Sequence, residues 1–380
     1  MRPAASSRWR AGNSASSLAV LEQKLQTMFS ARRAVLVGRA ALGLSSVLGC
    51  WRERVGECKV ALPSAVCHDV LLAVLAAGCT PAFCDVDVNT GLVDGVEWKK
   101  SRSSGANVAI VVHLYGNPAN TSEVMSIFST PECLVIDDAA QALGSRLDSS
   151  LCGAVGHIGL LSFGATKQIS LGNAAMLFQD PDFGAEIAGR LARIRSASDS
   201  ERQALTTAFR ARLEHARRGL REEGARAATR FSGLLGGLQP TLHVPYAVQL
   251  EAQIVAALDR YPSSAAARRA KANSWRDSLS GTGLVPVGMG EGCVPWRYAC
   301  RLPGIGWSTQ HSLSERMRAA GMHVSNWYLP AHWFMGEPAG SYPGVETLAE
   351  QVFQFWIDDD TTEQTIKDCA SLVRQVIATP

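Results

Sequence analysis

Three observations predict an α/β protein whose large domain carries a mainly parallel sheet between helices, followed by a smaller α+β domain. Short apolar runs alternate with helix-periodic segments through the first half of the chain. Those runs end in small or polar residues, as buried parallel strands do where their carboxyl ends open on a ligand site. After Gly236-Gly237 the signals become short and mixed, and 380 residues are enough for two domains.

Residues 1–17 are rich in Arg, Ser and Ala and lack the apolar stretch of a secretory signal, so they read as a loose arm. Leu18, Leu21, Leu25 and Met28 then recur at helical spacing and open the large domain, expected over residues 18–245. Residues 34–37 form a strand, and Gly38-Arg39-Ala40 turns from it into a helix whose N-terminus suits an anion. Strands follow at 59–62, 81–86, 108–113, 134–136 and 160–163, with a helix at 69–77 closed by Gly78. Residues 186–236 are Arg-rich, but Glu201, Glu214, Glu222 and Glu223 interleave, which predicts one or two solvated helices and no nucleic-acid surface. The C-terminal domain, expected over residues 246–380, begins with a helix at 249–258. A strand at 297–302 and helices at 312–320 and 361–377 complete it.

With 47% hydrophobic and 19% charged residues and a net charge of +3, the composition is that of an ordinary soluble protein without a nucleic-acid or membrane partner. No apolar run approaches the length of a membrane span. Ten cysteines occur without a CxxC pair, which suggests neither a metal site nor a disulfide framework and fits reduced thiols in the cytoplasm.

The residues that point to chemistry are Asp138, at the end of an apolar strand, and Lys167, in the Ser/Gly-rich turn Ser162-Phe163-Gly164-Ala165-Thr166-Lys167. A carboxylate in that place is costly unless paired. A protonated pyridine nitrogen is such a partner, and the lysine is then positioned for a Schiff base with pyridoxal 5'-phosphate. Taken alone, Asp138 reads equally as a helix N-cap and Lys167 as a solvated side chain.

Asp137-Asp138-Ala139-Ala140-Gln141-Ala142-Leu143-Gly144, then Gly156-His157-Ile158-Gly159-Leu160-Leu161-Ser162-Phe163 and Lys167, resemble the DegT/DnrJ/StrS-type family of pyridoxal-phosphate-dependent sugar aminotransferases. Pro63-Ser64, the stretch from Ala77 to Asp87, Val112-His113-Leu114-Tyr115-Gly116-Asn117-Pro118 and Tyr328-Leu329-Pro330-Ala331-His332 extend the likeness from about Leu21 to the end of the chain. The resemblance implies the aspartate aminotransferase fold, with a seven-stranded-type sheet in the large domain, and a homodimer with a shared active site. It makes Lys167 the Schiff-base lysine and Asp138 the partner of the ring nitrogen. Gln141 faces the ring hydroxyl and Ser162 the phosphate. Tyr328 and His332 match a small-domain segment that reaches toward substrate.

The chain also departs from the family's pattern. Arg39 replaces a threonine in the glycine turn Gly38-Arg39-Ala40, so a charged fork is expected to bind phosphate where a hydroxyl usually does. Cys67, with His68 beside it, stands where an aromatic usually stacks on the ring, and Asn173-Ala174-Ala175 replaces Glu-Gly-Gly after the lysine, placing Asn173 near substrate. The expected reaction moves an amino group from an amino-acid donor, glutamate or glutamine, to a carbonyl acceptor such as a keto sugar. Elimination, replacement or carbon–carbon bond formation on the same cofactor is the alternative within enzymes, and a non-catalytic regulatory protein the alternative outside them.

Overall fold

Runs rich in Val, Leu, Ile and Ala, each cut short by Gly, Pro or a polar residue, form the strands of the large domain in the computed structural model, which describes residues 14–326 and 328–378. They are β1 (Arg33–Val37), β2 (Lys59–Pro63), β3 (Thr80–Cys84), β4 (Val108–Val112) and β5 (Leu134–Asp138). After a hairpin of β6 (Arg146–Leu147) and β7 (Ser150–Leu151) come β8 (Ile158–Ser162) and β9 (Ala174–Phe178). Seven of them make one sheet in the order β1-β9-β8-β5-β4-β2-β3. From β8 across to β3 every pairing is parallel, and β9 runs antiparallel to both β8 and β1. Every residue of β4, β5 and β9 is buried, so helices cover both faces of the sheet.

The sequence does not predict β9. Its residues Ala-Ala-Met-Leu-Phe have no β-branched member, so propensity is silent and burial between β1 and β8 decides the conformation. The Arg-rich stretch also differs from the solvated helices expected of it. It forms Pro181–Leu191 and Asp199–Glu223, and Phe209, Leu213 and Leu220 of the second helix sit in the main core with β1, β2, β4 and β8. Helix Ser14–Phe29 begins inside the expected N-terminal arm, and residues 1–13 of that arm lie outside the described residues.

The expected helix at 249–258 runs on as Glu251–Ser278, through Pro262. Proline removes one helix hydrogen bond, but tertiary anchors on both sides hold the rod. Tyr261 Oη donates to Leu143 O at 2.6 Å, and Trp275 Nε1 donates to Trp356 O at 3.1 Å. Its first half (Ile254, Leu258, Tyr261, Ala265) packs with Leu21, Leu25 and Phe29 of the large domain. Ala272 and Trp275 of its second half pack with Tyr298 and Phe355. The helix therefore belongs to both cores, and the boundary expected at residue 245 falls just before it. Beyond it lies a four-stranded antiparallel sheet of β10 (Val285–Pro286), β11 (Tyr298–Arg301), β12 (Val324–Ser325) and β13 (Val352–Phe355), ordered β10-β11-β13-β12. Helices Trp307–Ala319 and Glu363–Ala378 cover it.

At the end of β5, alternation along the strand sends adjacent carboxylates to opposite faces. Asp137 is fully buried and receives four hydrogen bonds: His113 Nε2 at 2.6 Å, Thr121 Oγ1 at 2.9 Å, Gly153 N at 2.9 Å and Val155 N at 3.0 Å. Because Ala119 N donates to His113 Nδ1 at 2.8 Å, the ring proton sits on Nε2 and points at the carboxylate.

His332 does not reach the substrate side. It is wholly buried where the segment Ala331–Met335 meets β2, with Ser64 Oγ 2.7 Å from Nδ1 and Glu346 Oε1 3.2 Å from Nε2. Ser64 O also accepts from Ala331 N at 2.8 Å. The expected substrate contact is thus corrected to a structural link, because the segment buries His332 and Trp333 together. Burial pushes the ring down to about 4.

Two outcomes follow for stability. Asp137→Ala leaves buried donors unmatched and should cost about 3–5 kcal/mol in urea unfolding, with early exchange of the Gly153 and Val155 amides. For His332 the folded value lies below the unfolded one, so stability is lost as pH falls from about 6.5 toward 4, by up to about 3 kcal/mol. In His332→Gln that part of the loss should disappear when unfolding free energies at pH 7 and pH 4.5 are compared.

Candidate active site

The carboxyl ends of β4, β5 and β8 open on a cavity of about 650 Å³ that the small domain closes with Trp296, Arg297, Ser325, Tyr328 and Trp356. Lys167 and Asp138 both line it. Lys167 leaves β8 through a turn in which Thr166 has φ 67°, and its Nζ lies 5.5 Å from the centre of the Trp296 ring. Burial lowers the lysine from its ordinary value, against the pull of Asp138 and Asp69. Burial likewise raises Asp138, although Ala140 N donates to its Oδ1 at 3.0 Å and Lys167 favours the charged form.

Gln141 couples the two domains at the cavity wall. Its Oε1 accepts from Tyr115 N at 2.9 Å, and its Nε2 donates to Tyr328 Oη at 2.6 Å. Tyr328 is raised well above its ordinary value by burial, so it stays a neutral phenol. Ser162 lines the cavity, and its Oγ accepts from Gly164 N at 3.3 Å.

At the other end lies the N-terminus of helix Ala40–Val55, with Gly38, Arg39, Ala40 and Ala41 on the cavity wall. Gly38 is required by close approach, since a Cβ there would lie 2.2 Å from Val244 O. Arg39 does not offer the open fork expected of it. Its Nη1 donates to Thr241 O at 2.7 Å and its Nη2 to Asp69 Oδ2 at 2.5 Å, tying the starts of helices Ala40–Val55 and His68–Ala76 together. Asp69, which no pattern in the sequence marks, is held low: burial opposes ionisation, but His68, Arg39 and Lys167 outweigh it.

Cys67 and His68 line the cavity. The Cys67 thiol is pushed up to about 12 by burial and by Asp69, and the His68 ring packs on Phe209 with centroids 5.0 Å apart. Asn173, at φ 65°, also touches the cavity, and its amide makes a reciprocal pair of hydrogen bonds with Ala247. Its Nδ2 donates to Ala247 O and its Oδ1 accepts from Ala247 N, both at 2.9 Å, so it tethers the segment behind Gly38.

The donor set fits pyridoxal phosphate. Asp138 has one amide hydrogen bond, on Oδ1, and its other oxygen is left for a cation from the cavity, which suits a protonated ring nitrogen. The helix start at Ala40 and Ala41, with the Ser162 hydroxyl, suits a phosphate. Lys167 is the amine in the same cavity. Among the described residues no cluster of three or more His, Cys, Asp or Glu side chains could hold a metal ion, and no helix is long and apolar enough to cross a membrane.

Trp296, Arg297 and Trp356 carry no motif that singles them out in the sequence. Arg297 is 6% exposed, with its Cζ 4.3 Å from the centre of Trp296 and 3.6 Å from that of Trp356.

The profile of the DegT/DnrJ/EryC1/StrS aminotransferase family matches residues 4–222, more than half of the chain. A UDP-N-acetyl-3-dehydro-alpha-D-glucosamine 3-aminotransferase of Acidithiobacillus ferrooxidans is 25% identical over 313 residues, 80% of this chain and 74% of that protein. A GDP-perosamine synthase of Escherichia coli O157:H7 is 29% identical over 105 residues, 28% of this chain and 29% of that one. The crystal structure of a DegT DnrJ EryC1 StrS aminotransferase from Brucella abortus superposes with a TM-score of 0.73 at 17% identity, covering 96% of this chain and 91% of that one, a likeness of fold. The residues gathered in the cavity and the match along the large domain agree: this chain belongs to the DegT/DnrJ/EryC1/StrS aminotransferase family.

Proposed function

We propose that the protein uses pyridoxal phosphate to transfer an amino group from an amino-acid donor, glutamate or glutamine, to the keto group of a nucleotide-linked sugar. The observation that carries this reading is the pairing of Lys167 and Asp138 in one buried cavity, with burial pushing the lysine down and the carboxyl up. Groups whose protonation is pulled in opposite directions at one site are the mark of acid–base work. The aminosugar chemistry in the relatives' names supports the acceptor. The homodimer and the cytoplasmic location rest on the family resemblance and on cysteine usage.

When bound, pyridoxal phosphate supplies an electron sink that stabilises negative charge on the carbon next to the transferred nitrogen. The chain's own residues do the rest. Asp138, oriented by Ala140 N, holds the proton on the ring nitrogen, and that cation in turn gives the buried carboxylate the partner it needs. Lys167 Nζ, whose charged form burial disfavours, would take the proton from the donor's α-carbon and return it to the carbon on the other side of the transferred nitrogen. Gln141 and Tyr328 form a fixed polar wall across the domain seam. The small domain roofs the cavity with the indole rings of Trp296 and Trp356, which would limit water at the reacting carbon.

The test uses a ¹⁵N-labelled amino donor and a nucleotide-linked keto sugar, with label in the sugar read by mass spectrometry. The wild-type protein should transfer nitrogen, Asp138→Asn should be about 10²- to 10⁴-fold slower, and Lys167→Ala slower still. Borohydride should fix the cofactor onto Lys167. A wild-type protein that takes up the cofactor but puts no label into any keto sugar refutes this reading.

A further inference from the structure

Arg297 is more buried than almost any arginine without a carboxylate partner should be. Among the described residues it forms no ion pair, and its contacts are the faces of Trp296 and Trp356. Its nitrogens are nevertheless not sealed in: Arg268 and Arg301 each have a fully buried Nε without a hydrogen-bond partner, whereas Arg297 has no such atom and lines the cavity. Burial lowers it to about 10, so it remains a cation near neutral pH. Aromatic faces stabilise a cation but leave its N–H edge unsatisfied, and that edge is what an anion would take.

The surroundings hold this cation still. Arg297 and Trp356 stand opposite each other one step beyond the Tyr298–Phe355 pair of β11 and β13. Trp296 N donates to Tyr115 O at 3.0 Å, and its Nε1 donates to Thr166 O, in the turn that carries Lys167. Helix Glu251–Ser278 holds the backbone of both tryptophans, with Arg268 Nη1 donating to Trp296 O at 3.1 Å and Trp275 Nε1 to Trp356 O. Trp296 thus has one cation 4.3 Å from its centre and the Lys167 amine 5.5 Å from it. The two groups share one indole and lie at most about 10 Å apart, so a molecule that brings its nitrogen to Lys167 and an anion to Arg297 carries the two within that span. An amino acid does so, whereas a nucleotide-linked sugar places a whole sugar ring between its keto carbon and its diphosphate.

We propose that Arg297, clamped between Trp296 and Trp356, is the receptor for a carboxylate of the amino-acid donor. The assignment rests on the aminotransferase reading and names the donor's recognition group. The guanidinium fork takes both carboxylate oxygens, and the indoles exclude water from the pair. In the donor half-reaction the pair orients the α-carbon; in the other half it is released with the oxo acid.

The experiment titrates the cofactor-loaded protein calorimetrically with glutarate, a dicarboxylate that cannot react, and with UDP as the nucleoside diphosphate arm. Glutarate should bind the wild type, and Arg297→Met should weaken it roughly 10- to 100-fold while Arg297→Lys weakens it less. UDP affinity should be the same in all three. Arg297→Met should melt no lower than the wild type, because the folded chain loses an unpaired buried charge; a purely structural arginine would lower it. No glutarate binding to the wild type, unchanged glutarate affinity in Arg297→Met, or loss of UDP affinity in its place each overturns the assignment. Glutarate binding through Arg297 in a protein that transfers no nitrogen would sink the parent reading and leave this one standing. Nitrogen transfer with an unchanged donor KM in Arg297→Met would do the reverse.

Discussion

Two carboxylates follow one another at the end of β5, and only one of them is free to work because the other is saturated. Asp137 receives hydrogen bonds from His113 just beyond β4, from Thr121 and from the Gly153 and Val155 amides, so the carboxyl end of β5 is held from three directions. A buried charge satisfied in this way is rigid, since any movement strands a donor or an oxygen in a medium that cannot hydrate them. The period of the strand then aims Asp138 into the cavity with little freedom of its own. The position of Asp138 is thus set by bonds made on the opposite face of the sheet.

The domain seam is assembled from similarly short connections. Gln141 and Tyr328 join the halves at the cavity wall, while Ser64, His332 and Glu346 join them beneath it. Arg39 and Asp69 link two helix starts on the large-domain side, neutralising one another beside the place where a phosphate would sit. The consequence for the anion is that backbone amides and the Ser162 hydroxyl are the available donors there, with Arg39 acting behind them as a brace.

What is legible in the sequence is what chemistry constrains locally. Asp138 and Lys167 can be recognised because a carboxylate at the end of an apolar strand needs a partner, and a lysine in a tight turn after another such strand is placed to face it. Their positions follow from the strands that carry them. His332 is misread because a motif fixes a residue's place along the chain and not the face it turns to; burial beside Trp333 settles that. Asn173 reads as facing substrate, yet its amide pairs with Ala247, seventy-four positions away. Arg297 escapes notice because its meaning depends on Trp356, brought alongside by a strand pairing that no local pattern announces. The strand β9 is hidden for the related reason that alanines and a methionine become a strand only through burial between neighbours.

Helix Glu251–Ser278 contributes its first half to one core and its second half to the other. The small sheet is therefore not a detachable module. A chain cut before Glu251 would strip Ile254, Leu258 and Tyr261 from the large domain, exposing Leu21, Leu25 and Phe29. A cut after Ser278 would instead take Trp275 from beside Phe355, where the two rings stack with centroids 4.7 Å apart. Recombination between homologues would then have to exchange this rod together with both of its seats, so a crossover inside it would mismatch one core or the other.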